Sequence, residues 1–328
     1  MTRPTPSYSI ARASLVTAGG WRRWPLLAFA MAGLAATAQA GEAPRVVASI
    51  APVHSLASAV MDGVGTPGLI VRGFGSPHTW QMRPSEAATL ERADIVFWIG
   101  APLEAFLIRP LASLGPATRR VALIGAPGVT VLPARAGGAW PEDADEEHEH
   151  HGDEAGERPR VDPHIWLAPG NAQAMTRAIV AALAEHDPER ADLYRANGEQ
   201  VLARIDRLAA ALDDRLAPVR EVPFVVLHDA YQYFEHRFGL NAVGSITTSL
   251  ESQPGARRLR NLVALGARCV FGEPQVDSPL VDTVIAGTRA GRGTLDPLGA
   301  ALAPGPDAYF EMMDSLAGTI HDCLSGAT

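Results

Sequence analysis

From Asp187 to Pro218 the chain reads DPERADLYRANGEQVLARIDRLAAALDDRLAP, a helix-forming run with no proline between Pro188 and Pro218. Asp187 is a natural cap, Pro188 suits a first-turn position, and Pro218 stops the pattern. One helix is expected over 188–217, roughly 43 Å long at 1.5 Å per residue. A rod of that length is long enough to bridge two domains, so whatever flanks it is organised around it.

The flanks resemble each other. Before the rod, the short apolar runs VVASI (46–50), GLIVRG (68–73), ADIVFWIG (93–100) and VALIG (121–125) are separated by amphipathic stretches. After it come PFVVLHD, AYQYFEHRFG, LNAVGSI, ARRLRNLVALGA, RCVFGEP, SPLVDTVIAGTRA, GTLDP and a last helical run through Met312 to Leu324. Alternation of this kind indicates α/β units with largely parallel sheets. A chain of 328 residues also exceeds the usual size of one core. The expected architecture is therefore two α/β lobes, 41–169 and 219–328. A helical connection over 170–218 joins them.

Residues 1–40 read as a removable leader. Arg22 and Arg23 precede an apolar run from Pro25 to Ala38, and Ala38-Gln39-Ala40 has the small residues that a signal peptidase reads. Cleavage is expected after Ala40, and residues 1–20 lie upstream of a normal signal, as they would if the start codon were assigned too early. No later segment approaches the roughly 20 apolar residues of a spanning helix. Export to the periplasm follows, and with it a compartment that favours pairing of the only two cysteines, Cys269 and Cys323. Losing the leader removes four arginines and no acid, taking the formal charge from −8 to −12. Such a surface argues against nucleic acid as a partner, because that needs a basic face.

Four segments carry candidate ligands at or beyond their apolar runs: GLIVRGFGSPH ends at His78, VDPHIWL carries His164, PFVVLHD reaches His228, and GTLDPL presents Asp296. Side chains just past the carboxyl ends of parallel strands face the ligand crevice. Three imidazoles and one carboxylate suit Zn(II), which takes His nitrogen at about 2.0–2.1 Å and prefers four ligands. Manganese prefers more oxygen. Any one of these histidines alone reads as a capping or core residue, and His54, after Pro52, is assigned a helix-start or supporting role.

SPHTWQMRPSE, DPHIWLAPGNA, LHDAYQYFEHRFGL, FGEPQVDSPLV and GTLDPLG, in that order, resemble the signature segments of the ZnuA-like periplasmic zinc receptors. These belong to the metal-specific class of ABC-transporter solute-binding proteins. The resemblance spans residues 45–325 and implies two pseudo-symmetric lobes, a long rigid connecting helix and metal held between the lobes. It also implies delivery to an inner-membrane ABC zinc permease. By position it implies His78, His164 and His228 as ligands, and it matches Asp296 to a carboxylate that is the fourth ligand in some relatives. Several zinc receptors have Glu before the first histidine; here Pro77 stands there, leaving Asp296 or water for the fourth position. The family's disulfide also lies where Cys269 and Cys323 lie, and a monomer is expected.

The acidic run 142–157 holds His148, His150 and His151 and almost no apolar residue, so it is expected to be a mobile surface loop. Its position matches the family's longer His-rich loops, which are proposed to collect zinc. Ordering a flexible loop costs entropy, so these histidines are assigned a weak auxiliary site, separate from His164. Two rival readings stand beside zinc capture: a manganese or iron receptor of the same family, and an exported zinc-dependent hydrolase. Against the second, no HExxH occurs, and nothing resembles a Ser or Cys nucleophile motif.

Overall fold

The computed structural model describes residues 41–135, 139, 160–247, 256–276, 279–286 and 288–326. The leader and the acidic loop with His148, His150 and His151 lie outside the described residues. Strands β1 (Val46–Ala48), β2 (Gly68–Leu69), β3 (Ile95–Trp98) and β4 (Arg119–Ala122) form a parallel sheet in the order β2-β1-β3-β4. Strands β5 (Phe224–His228), β6 (Ala242–Thr247), β7 (Cys269–Gly272) and β8 (Gly291–Thr294) repeat that order as β6-β5-β7-β8. The expected pair of parallel α/β sheets is present.

Two runs differ from expectation in detail. Only Gly68–Leu69 of GLIVRG forms strand, although Ile70 and Val71 still donate to Ala48 and Ser49 carbonyls at 3.0 and 2.9 Å. The chain then turns away at Gly73, whose φ of 57° lies in the left-handed region that glycine tolerates. VALIG divides between the end of β4 and a 3-10 turn, Leu123–Gly125.

The helices are α1 (Ala51–Val60), α2 (Pro84–Glu91), α3 (Ile108–Ser113), α4 (Pro169–His186), α5 (Ala191–Leu216), α6 (Gln232–Phe238), α7 (Ala256–Ala264), α8 (Pro279–Ile285) and α9 (Ala308–Ser325). The predicted rod is α5 with a 3-10 turn at each end, Pro188–Arg190 and Ala217–Val219. Asp187 secures its start, with one carboxylate oxygen accepting from Arg190 Nη1 at 2.6 Å and from Tyr194 Oη at 2.8 Å. Tyr194, Val201, Ile205, Leu212 and Leu216 form its buried stripe, the period of a helix that faces a core along one side. It packs on α1, α4 and α9.

One continuous apolar core runs from the first sheet through α5 to the second sheet, and a smaller cluster that includes Val225, Ile246 and Val270 lies apart from it. Cys269, at the start of β7, is bonded to Cys323 near the end of α9, as the export argument anticipated.

Candidate metal centre

His228 is the last residue of β5 and sits opposite Thr247 of β6. In a sheet ordered β6-β5-β7-β8, the crevice for ligands opens between β5 and β7, where successive connections leave in opposite directions. Glu273, just past the end of β7, occupies the other side of that crevice. The corresponding place in the first sheet is filled. There Ser49, past β1, donates to Glu104 at 2.5 Å, and Glu104 also accepts from the Ile99 and Gly100 amides. Burial pushes the Glu104 carboxyl up to about 7.

His78 comes from the loop after β2, where its N–H donates to Ser76 Oγ at 3.3 Å. His164 follows no sheet strand, contrary to the strand-end pattern. Val161 makes only an isolated antiparallel bridge with Pro133, and His164 immediately precedes the 3-10 turn Ile165–Leu167. Asp162 sets its orientation. Its Oδ1 accepts the His164 N–H at 2.9 Å and lies 2.7 Å from His164 Nδ1.

The three rings converge. Their centroids are 5.4 Å apart for His78 and His164, 5.4 Å for His78 and His228, and 4.9 Å for His164 and His228. Each offers a nitrogen such that the three atoms lie within 4.8 Å of one another. His78 Nε2 and His164 Nε2 are 3.4 Å apart. Two nitrogens bound at 2.0–2.1 Å to one tetrahedral ion sit about 3.3 Å apart, so this spacing already fits a shared ion.

Two of the three protonation states fit as well. Burial, with the charges of His164 and His228 adding to it, pulls His78 down to about 2. Burial and His228 hold His164 well below the usual imidazole value. His228 is the exception: burial pulls it down, but the neighbouring Glu273, Asp229 and Asp162 charges prevail and raise it. Its Nδ1 lies 3.4 Å from Glu273 Oε1, an electrostatic contact rather than a formed hydrogen bond. His78 and His164 therefore present lone pairs at neutral pH, as a metal requires, whereas His228 must give up a more tightly held proton when an ion binds.

Ser76, Pro77, Trp166, Gln275, Pro297 and Leu298 close the site around the three histidines and Glu273, leaving a cavity of about 10 Å³. That is room for one ion or one water. The wall is tied across the two halves of the chain. Trp166 Nε1 donates to Pro297 O at 2.7 Å, and within the second half Tyr231 Oη donates to Glu273 Oε1 at 3.0 Å. Arg135 donates to Glu235 at 2.6 Å and forks onto Asp229, next to His228.

Asp296 does not join the three-histidine group. Its Oδ1 accepts from Gln275 Nε2 at 2.8 Å and from the Leu298 amide at 3.1 Å, and its Oδ2 accepts from the Ala300 amide at 2.6 Å. His54 is buried in α1, with Nε2 3.0 Å from Pro67 O. Asp162, Glu273 and Gln275 were not singled out from the sequence. The available signals were the D-P-H spacing around His164 and the E-P-Q run after β7.

Comparison with known proteins identifies the family. The family model described as zinc-uptake complex component A, periplasmic, matches residues 46–323. The high-affinity zinc uptake system protein ZnuA of Brucella suis biovar 1 is 43% identical over 325 residues, covering 90% of this chain and 96% of that one. Among solved structures, a ZnuA deletion mutant with zinc bound superposes with a TM-score of 0.70 at 26% identity, covering 86% of this chain and 98% of that chain. FpvC from Pseudomonas aeruginosa in complex with Mn²⁺ superposes at 0.72 with 20% identity, covering 87% and 99%, a likeness of fold alone. The chain belongs to the family of periplasmic component A proteins of zinc-uptake complexes.

Proposed function

We propose that the protein captures Zn(II) at His78, His164 and His228 in the periplasm and delivers it, chemically unchanged, to an inner-membrane ABC zinc permease. The observation that carries this reading is the meeting of three imidazole nitrogens within 4.8 Å, donated from both sides of α5. Ligands from both halves fix their relative placement when the ion is present, and the permease reads that placement. The continuous core and the rigid α5 favour a small hinge motion over wide closure. Asp296 or water completes four-coordination, and His148, His150 and His151 provide a weaker collecting site on the acidic loop.

All-nitrogen donation from the three convergent residues favours zinc over manganese, which takes oxygen more readily. Competition titration of the metal-free protein decides between them, with one tight zinc equivalent expected. A preference for manganese overturns the assignment. Removal of residues 1–40 on export, a monomeric state and the absence of any nucleic-acid partner belong to the same reading.

A zinc-dependent hydrolase needs a substrate pocket and a general base beside the metal. The cavity of about 10 Å³ admits no organic substrate. Hydrolysis of activated esters by the zinc form is expected to match the solvent background, and a rate above it would favour the enzyme.

A further inference from the structure

Among the described residues, three buried side-chain atoms lack a hydrogen-bond partner: His228 Nδ1, Ser245 Oγ and Gln275 Oε1. The first and last belong to residues that line the metal cavity. An unpaired buried acceptor is destabilising, so the Gln275 oxygen asks for a donor.

Its orientation is set by chemistry. An ionised carboxylate only accepts, so the Gln275 NH₂ must face Asp296 and the amide oxygen must face elsewhere. The turn after β7 holds the residue, with Glu273 and Val276 bridged on either side of it. Asp296 is meanwhile occupied by three N–H donors, from Gln275, Leu298 and Ala300. Both features bear on the position left after three histidines have bound: one leaves an acceptor without a donor, the other holds a carboxylate away.

We propose that Gln275 is a positioning residue that selects water over Asp296 as fourth ligand of the bound ion. Its Oε1 accepts a hydrogen bond from the metal-bound water, while its Nε2 keeps Asp296 on the Leu298 and Ala300 amides. A water polarised by a divalent cation is a strong donor, and charge-assisted hydrogen bonds are the stronger kind. The cavity of about 10 Å³ seats one ion or one water, so the side chains around it must part slightly for the water to sit beside the ion. Three neutral imidazoles and water leave the full charge on the ion, whereas a ligating Asp296 would cancel half of it. This inference rests on the zinc-site reading above.

The test uses Co(II), a spectroscopic stand-in for zinc, loaded into the full chain. Binding stoichiometry is read first, and inner-sphere water is counted second by water-proton relaxation. Wild type is expected to bind one Co(II) carrying one exchangeable water. Asp296→Asn should keep that water, Gln275→Leu should lose it to Asp296, and the double variant should regain it. A wild-type site without water, or one that gains water only in Asp296→Asn, overturns the proposal and leaves the zinc site standing. Failure of wild type to bind any metal overturns both. Thermal melts of the metal-free variants identify a folding defect, and Asp296→Asn still decides the question if Gln275→Leu does not fold.

Discussion

His164 Nδ1 lies 2.7 Å from Asp162 Oδ1, while the opposite nitrogen of the same ring lies 3.4 Å from His78 Nε2. The carboxylate thus assigns the ring's two nitrogens different tasks: Nδ1 carries the proton and Nε2 is left to bind metal. Glu273 stands in a similar place behind His228 Nδ1, at the longer distance of 3.4 Å.

Replacing Asp162 should therefore weaken metal binding without touching a ligand. Asp162→Asn is expected to raise the zinc dissociation constant about 10- to 100-fold, the usual cost of losing such a support. Competition with a chromophoric chelator measures it, and an unchanged constant would show that packing alone orients His164.

The metal-free protein should reveal His78 through pH. An unfolded imidazole titrates near 6.5, whereas folded His78 is held down to about 2. As pH falls below 6.5 the unfolded chain takes up a proton that the folded chain refuses, so stability is lost on acidification. His164 acts in the same direction and His228, whose value is raised, in the opposite one. His78→Gln isolates the first contribution. The stability of the metal-free variant relative to metal-free wild type should rise by up to about 1.4 kcal/mol per pH unit below 6.5 in urea denaturation.

Zinc release should quicken on acidification through His228, the ligand whose value is raised, because a protonated imidazole cannot bind the ion. Stopped-flow transfer of zinc to a chelator, run as a pH series, checks this. A rate independent of pH would mean that histidine protonation does not govern release.

The disulfide closes a sequence separation of 54 residues, between the start of β7 and α9. Replacing Cys269 and Cys323 together by alanine should lower stability by about 4 kcal/mol on the chain-entropy model. The site should persist in the folded fraction, because β7 is also paired with β5 and β8. Denaturant titration of the variant with zinc present and absent separates the two effects.

Deleting 142–157 should leave one tight zinc equivalent per chain, measured calorimetrically, with only weaker binding removed. Loss of the tight equivalent would show that His148, His150 and His151 are not separate from the cleft.

Much of this protein was legible in local pattern. Apolar runs and prolines indicated eight strands and the α5 rod, because strand and helix periodicity is a short-range property. The ligand-bearing segments were also visible, since His78, His164 and His228 each sit within a run of recognisable composition. Their meeting was not. His78 and His164 are 86 positions apart, and only the packing of the loops that carry them decides that their nitrogens approach within 3.4 Å. Nor could composition show where Asp296 would spend its lone pairs, because its partners are two backbone amides and Gln275, whose directions depend on how the turns fold. The sequence by itself determined which chemical groups are present and which elements carry them. The tertiary structure alone decided which of those groups share a cavity, because distance and direction between remote side chains are properties of the packed chain.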